Sequence, residues 1–433
     1  MKILYVSQHY PPEMGALAGR AAELSRHWAL LGHKASVLTA FPNHPTGVVI
    51  PEYRDRFKRL FYREEVDGVD VVRTWLLPYP NRRPIERVLN YGSFCFSASV
   101  RGAFLERPDV VIGTSPPLPI AIAGYNVARM KRVPFIFEVR DLWPESLEGV
   151  GLGAEHSRIY KTVAAIVRFL YKHSDHIVVV TPAFKEYLNS NWGVPLEKMS
   201  IVVNGVETER FAPAAASPEI LREFGVPEGK FVASYIGTMG MAHGLETVLE
   251  VAQSLQTSAP EIVLLLVGEG GNREELVRLA RERQLTNVIF TGQQPREKIP
   301  AIISCADVCL ALLKNQEVFK TVIPTKMLEF MSCGRPVVLG VGGQAEKILH
   351  EADAGISVEA ENTAAIAEAI RTMCGSHELR ERFGRNGRAY ILAKMSREQT
   401  ARQYLDVLAK LTGKSAVLQP LPVTSTAQSG EAL

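Results

Sequence analysis

Within the stretch 321–338, TVIPTKMLEFMSCGRPVV, three polar side chains stand where they could hold an anionic ligand. Pro324 suits the first turn of a helix, where a missing N–H costs nothing, and Thr325 and Lys326 then fall in that turn. A helix N-terminus carries roughly half a positive charge and several unsatisfied N–H groups, which suits a phosphate. Lys326 adds a full charge at that end. Glu329, one turn further along, can accept hydrogen bonds from hydroxyls. A phosphate at the cap and a diol one turn away is the layout of a nucleoside diphosphate. The competing reading is an amphipathic helix whose Lys and Glu are solvated. Met327, Leu328, Phe330 and Met331 supply its apolar face in either case, and Gly334 its stop before a strand at 336–339.

Other loops carry weaker chemistry. The run 237–244, GTMGMAHG, delivers three glycines ahead of a helical stretch at 245–255, a second place where backbone N–H groups could cradle phosphate. Gly15 and Gly19 sit similarly between an N-terminal strand and its helix, but no GxGxxG fingerprint is present, which disfavours a dinucleotide. The segment 138–145, EVRDLWPE, packs three carboxylates and Arg140 beside Trp143 just past a strand, where doubly wound sheets bind ligands. Ser115 in GTSPP and His44 in FPNHPTG belong to two more such loops, which read equally as plain turns. No Asp-x-Asp stands in a suitable loop, since Asp67 and Asp70 belong to a turn and a strand.

The elements that must position these residues follow a repeating order. Apolar strands at 3–7, 35–39, 69–74, 110–113, 135–138 and 177–180 alternate with helical stretches, and after the linker APAAAS (212–217) the alternation resumes at 231–237, 261–269, 287–292, 306–312 and 336–339. Near-continuous apolar strands alternating with helices imply parallel sheets covered on both faces. The expected fold class is therefore α/β, with two Rossmann-like doubly wound domains. A chain of 433 residues fits two cores better than one. Hydrophobic residues make up 46% and charged residues 22%, with no apolar run near the length of a membrane span. The N-terminus reads as a strand rather than a signal peptide. Five cysteines without a CxxC pair favour reduced thiols over a disulfide frame or zinc site. The net charge of +3 divides into about +5 over 1–215 and about −2 beyond, too small an imbalance to argue nucleic acid. Residues 82–104 differ from the rest: Arg82, Arg83 and Arg87 precede Leu89, Tyr91, Phe94, Phe96 and Phe104 with almost no acids. That pattern fits a helix lying on a membrane surface, or a core helix with a basic end.

Two such halves carrying GTMGMAHG, VGEG, VIFTG and PTKMLEFMSCGRPVV in this order resemble the GT-B glycosyltransferases, and within them retaining glycosyltransferase family 4. The likeness covers about residues 1–412. DLWPES, PNHPTG and VDGVDVVRTW resemble the L-fucosamine-transferase-like subgroup, which builds O-antigen, capsule and exopolysaccharide repeats on lipid carriers. The resemblance implies an acceptor domain at 1–205, a nucleotide-sugar donor domain at 206–392 facing it across a cleft, a helix at 393–412 crossing back, and a disordered tail at 413–433. It implies that Glu329 holds the nucleotide ribose and that Lys326, Thr325, Gly237, Thr238, Gly240 and Gly15 surround the pyrophosphate. Thr291 and Gly292 then line the base pocket. The family usually has Glu-x7-Glu, but Thr321 stands eight residues before Glu329. Glu317 is the nearest acid, and backbone N–H groups around 319–322, including Val322, are the substitutes. His243 stands where a phosphate-binding basic residue is usual. Asp141, following Arg140 where relatives show a His-Asp pair, is the candidate for ordering acceptor or sugar; His44, Ser115, Arg140 and Glu145 are placed on the acceptor side.

The expected reaction is hexosyl transfer from a nucleotide-diphosphate sugar, a UDP-sugar, to a lipid-linked saccharide. Asp141, Lys326 and Glu317 are its catalytic candidates, with no metal and no cofactor beyond the nucleotide-sugar co-substrate. A helix end plus Lys326 supplies positive charge to the leaving diphosphate in advance. The implied location is the cytoplasm, peripherally at the inner face of the cytoplasmic membrane. A GT-B sugar-nucleotide 2-epimerase and a non-catalytic nucleotide-sugar-binding partner of another transferase are the alternatives. Epimerised donor without acceptor would mark the first, and tight donor binding without turnover the second.

Overall fold

The structure, a computed structural model, describes residues 1–13, 15–44, 46–80, 83–146 and 157–416. Most of the tail expected to be disordered therefore lies outside the described residues, as does Arg82. Among the described residues, fourteen strands form two sheets. The first contains β1 (Lys2–Val6), β2 (Lys34–Ala40), β3 (Phe61–Val66), β4 (Val69–Thr74), β5 (Val110–Ser115), β6 (Phe135–Val139), β7 (His176–Val179) and β8 (Met199–Ile201), in the order β3-β4-β2-β1-β5-β6-β7-β8. The second contains β9 (Phe231–Ile236), β10 (Ile262–Val267), β11 (Val288–Gly292), β12 (Val308–Leu312), β13 (Val337–Gly340) and β14 (Gly355–Ser357), in the order β11-β10-β9-β12-β13-β14. In each sheet the order reverses beside the first strand, β1 or β9, which is the switch point of a doubly wound fold. The chain divides into two compact units, Met1–Phe137 with the segment from Ala401 onward, and Glu138–Thr400.

The second sheet shows why its apolar strands read as continuous runs. Side chains of successive strand residues point to opposite faces. Val232, Ile236, Leu265, Val267, Cys309, Ala311, Val337 and Leu339 enter one buried cluster, together with Met327, Leu328, Phe330 and Met331 of the helix Thr325–Ser332. Phe231, Ala233, Tyr235, Leu264, Leu266, Val308, Leu310 and Val338 enter the other, against the helix Glu246–Ser258. Both faces are covered, so no polar alternation survives.

In the first unit the register is parallel through the centre, with Ile3 opposite Ala35 and Val110. The C-terminal helix Arg397–Thr412 packs here from Ala401 onward: Trp28 Nε1 donates to Ala401 O at 3.2 Å, and its ring meets Tyr404 at 5.3 Å. The sheet is not purely parallel as expected. β3 runs antiparallel to β4, with Phe61 opposite Thr74. Its sequence, FYREEV, is half exposed and charged, as befits an edge strand, and so lacks the apolar run by which the inner strands are recognised. The Asp67-Gly68 turn that joins the two has positive φ at both residues, a hairpin signal in its own right.

Candidate functional site

The loops at the C-terminal ends of β9, β10 and β11 are stacked on one another. Gly237 N donates to Val267 O (2.9 Å), Met239 N to Glu269 O (2.8 Å) and Gly268 N to Gly292 O (2.9 Å). Gly268 and Gly270 both have positive φ, and a Cβ on either would overlap the backbone of Gly237 or Met239. Glycine is required there because two backbones touch. Lys314 N, just past β12, donates to Ala242 O at 3.0 Å and closes the run 237–244 from the other side.

The helix Thr325–Ser332 starts one residue after Pro324, which caps it in an extended conformation. Lys326 projects from its first turn toward this stack. Its Nζ donates to Tyr235 Oη at 2.7 Å and lies 4.1 Å from the centroid of that ring, while Tyr235 Oη donates to Thr238 O at 2.6 Å. One tyrosine thus links the strand, the glycine run and the lysine. Gly237 permits the approach, since a Cβ on it would lie 2.9 Å from Lys326 Nζ. Burial lowers Lys326 to about 7, with Glu329 partly offsetting it, so its charge is poorly compensated. An anion beside Nζ would remove that penalty. The arrangement offers a cation, helix N–H groups and a glycine-lined backbone at one place in the second unit.

Two family models match the chain. One is described as glycosyl transferases group 1, over residues 216–390, and the other as glycosyl transferase 4-like domain, over 15–205. The putative colanic acid biosynthesis glycosyl transferase WcaI of Escherichia coli K12 is 26% identical over 419 residues, 94% of this chain and 99% of its own. The chain is a nucleotide-sugar glycosyltransferase. Solved structures agree on its GT-B fold. The sucrose-phosphate synthase of Thermosynechococcus elongatus superposes with a TM-score of 0.76 at 18% identity, covering 95% of this chain and 99% of that one. HepE of Anabaena, in complex with UDP and glucose, gives 0.70 at 15% identity over 95% and 100%.

Of the residues singled out in the transferase by sequence, Gly237, Thr238, Gly240 and Lys326 converge at the stack, with Thr291 and Gly292 at its β11 edge, and Thr325 opens the helix that carries Lys326. Thr291 Oγ1 donates to Gly292 O (3.1 Å), and Gly292 has φ +72° beside the Glu269 carboxylate. Glu329 is half-buried one turn below Lys326 and couples to it electrostatically. His243 belongs to the same place, but burial, reinforced by Lys326, lowers it to about 3. It is neutral at pH 7 and brings no charge in place of the basic residue usual there. Glu317 lies away from any buried surface: its side chain is 87% exposed and pairs with Lys320 at 2.5 Å. Of the backbone groups offered instead, Phe319 N and Val322 N donate within their own turn, to Gln316 O (3.0 Å) and Phe319 O (3.4 Å). Thr321 is fixed, its O accepting from Thr181 Oγ1 at 2.9 Å.

In the segment after β6, burial raises Asp141 to about 6 against the opposing charge of Arg140, the profile of a carboxyl able to exchange a proton near neutrality. Glu145 accepts from Tyr187 Oη (2.9 Å) and Trp192 Nε1 (3.3 Å), so one of its oxygens is already held by the protein. In the first unit Ser115 Oγ is buried without a hydrogen-bond partner at the end of β5, Gly15 is exposed with φ +119°, and His44 is exposed. Sequence reasoning passed over Tyr235, because one tyrosine inside the apolar run FVASYI reads as core. Its position two residues before Gly237 was the available signal.

Proposed function

We infer that the transferase moves a sugar, of the N-acetylated amino or deoxy class, from a UDP donor to a lipid-linked saccharide in surface-polysaccharide assembly. The reading includes retention at the anomeric carbon and no requirement for a metal. The observation that carries it is the buried, weakly compensated ammonium of Lys326 at a helix N-terminus beside the glycine run 237–240. The leaving diphosphate gains negative charge as the glycosidic bond breaks, and a fixed cation with aligned N–H groups stabilises that charge without reorganisation. Glu329 takes the ribose hydroxyls, and Thr291 and Gly292 line the base. Asp141 and Arg140 order the transferred sugar or the acceptor. The UDP complex of HepE supports the choice of nucleotide, and the naming of WcaI for colanic acid biosynthesis supports a polysaccharide product. Calorimetric titration with UDP, GDP, ADP and dTDP and their sugars tests the reading. UDP compounds should bind best, and failure of every nucleoside diphosphate to bind would contradict it.

The lipid-linked acceptor has its own physical support. The helix Pro84–Ala103 turns Asn90, Phe94 and Ala98 into the core, while Ile85, Val88, Phe96 (70% exposed) and Val100 form an apolar stripe on its outer face, continued by Phe104. Arg83 and Arg87 are exposed at its basic end. The helix thus packs on the core by one face and exposes an apolar stripe with a basic end on the other, which suits reversible attachment to an anionic membrane. No helix among the described residues is long and apolar enough to cross a membrane.

A further inference from the structure

The helix Arg158–His173, in the second unit, carries a surface that no part of the donor site uses. Ser157 caps it, its Oγ accepting from Tyr160 N at 3.1 Å. At about 100° per residue its side chains separate into two faces. Val167, Leu170 and Tyr171 are buried, and Val163 and Ile166 are half-buried on the same side, so the helix is fixed to its unit by that face. Arg158, Lys161, Arg168 and Lys172 are all exposed and fall within about 80° of arc on the other. From Arg158 to Lys172 this stripe runs about 21 Å along the axis.

The sequence RIYKTVAAIVRFLYKH contains no Asp or Glu, and none of the four cations is in an ion pair among the described residues. Exposed cations on other helices are answered from their own helix. Arg278 pairs with Glu275 at 2.5 Å and also with Glu282, and Arg371 pairs with Glu368 at 2.6 Å. Arg158 with Lys161 and Arg168 with Lys172 instead set like charges at i,i+3 and i,i+4, a spacing that disfavours a helix. The repulsion is uncompensated within the fold and is relieved only by anions from outside it.

The dimensions of the stripe define those anions. At physiological ionic strength a charge is screened over about 8 Å, so one phosphate answers only one end of the stripe. Anionic arrays long enough for all of it are a nucleic-acid backbone and a leaflet of acidic phospholipid. The apolar neighbours favour the second. Phe169, 39% exposed, borders the stripe, and Ile159, 58% exposed, stands in the first turn. An aliphatic side chain gains nothing from a phosphate backbone, and one face of the Phe169 ring is already stacked on His173, 4.3 Å between centroids. At a membrane both apolar groups enter the headgroup boundary, while the lysine and arginine stems lie along it with their charges at the phosphates.

We propose that the exposed face of the helix Arg158–His173 binds the anionic surface of a phospholipid membrane through Arg158, Lys161, Arg168 and Lys172, with Phe169 and Ile159 beside them. This contact belongs to the second unit and shares no residue with the helix Pro84–Ala103. It needs neither donor nor acceptor, so it does not depend on which sugar is moved or to what.

The test is flotation with vesicles of phosphatidylcholine alone and of phosphatidylcholine mixed with phosphatidylglycerol, at low and high salt. Lys161→Gln with Arg168→Gln and Lys172→Gln should lower binding to the phosphatidylglycerol vesicles at least about tenfold at low salt, each cation contributing up to about fivefold. Lys161→Arg with Lys172→Arg should bind as wild type does, because the contact requires charge. UDP affinity should stay within about twofold in all of them, which reports an intact second unit. Amine-reactive footprinting of the wild-type protein needs no variant. Phosphatidylglycerol vesicles should protect Lys161 and Lys172, and phosphatidylcholine vesicles should not, while exposed Lys347 serves as the comparison. Binding of the triple Gln variant within about twofold of wild type overturns the proposal, as does footprinting that leaves Lys161 and Lys172 equally reactive with and without vesicles. Tighter binding to oligonucleotides than to acidic vesicles, lost in the triple variant, also overturns it and assigns the stripe to a nucleic-acid backbone.

Discussion

At the scale of single residues, Lys326 and Glu329 make opposite contributions to one ligand. A charge-assisted hydrogen bond from a ribose diol to Glu329 is worth roughly 1.5–3 kcal/mol, so Glu329→Ala should weaken UDP binding about ten- to a hundredfold by calorimetry. Unchanged affinity would return Glu329 to a solvated helix face. Lys326 makes a prediction with a sign. Its value of about 7 lies below the ordinary lysine range because of burial. A bound diphosphate favours the ammonium and raises it. Between the free and bound values the complex holds a proton that the free protein lacks. At pH 8, UDP binding should therefore take up most of one proton, and affinity should fall as pH rises above 7, by up to about tenfold per unit. Calorimetry in two buffers of different ionisation enthalpy measures the uptake; Lys326→Met should abolish it, and zero uptake by wild type would contradict the assignment. The placement of Lys326 was legible in the sequence, since a charge in a Pro-started first turn has a mechanism behind it, whereas the part given to Glu329 rests on the calorimetry. The neutral state of His243 was not legible, because burial by β9 and β12 neighbours is a property of the assembled unit.

At the scale of elements, the glycine run is only as well placed as the loop beneath it. A Cβ at Gly268 would overlap the Gly237 carbonyl, and its φ of +137° strains any other residue. Gly268→Ala should cost about 1–3 kcal/mol in urea denaturation and weaken UDP binding by displacing Gly237. Gly271→Ala has open space and serves as the neutral comparison. Equal behaviour of the two would mean that the close approach is not maintained in solution. The parallel strands were readable because burial on both faces leaves continuous apolar runs. β3 was not, because an edge strand carries charges on its open side. Pro324 shows the ordinary error at boundaries: a proline fits both the cap and the first helical position, and the structure takes the former. Of the two readings of residues 82–104, the core helix holds for one face and the membrane-surface reading is the proposal for the exposed one, since a helix has two faces and the sequence does not say which one the core takes.

At the scale of the whole molecule, the apolar stripe and arginines of the helix Pro84–Ala103 predict weak, salt-sensitive membrane attachment. Each arginine near anionic headgroups contributes up to about 1 kcal/mol, so Arg83→Gln with Arg87→Gln should reduce binding to anionic vesicles by up to about thirtyfold. Flotation with anionic and neutral vesicles checks this, and Phe96→Ser with Val100→Ser should lower binding to both. Equal flotation of all proteins, or none at any ionic strength, would remove the local support for a lipid acceptor.

The account depends most directly on sugar transfer from a nucleotide donor by protein groups alone. The decisive measurement is mass spectrometry of lipid-linked saccharide acceptors incubated with UDP-sugars, enzyme and excess chelator. The predicted result is acceptor heavier by one sugar residue, with UDP released in equal amount and the product retaining the donor's anomeric configuration. Donor consumed without any glycosylated acceptor, or transfer that appears only when magnesium or manganese is restored, would contradict it.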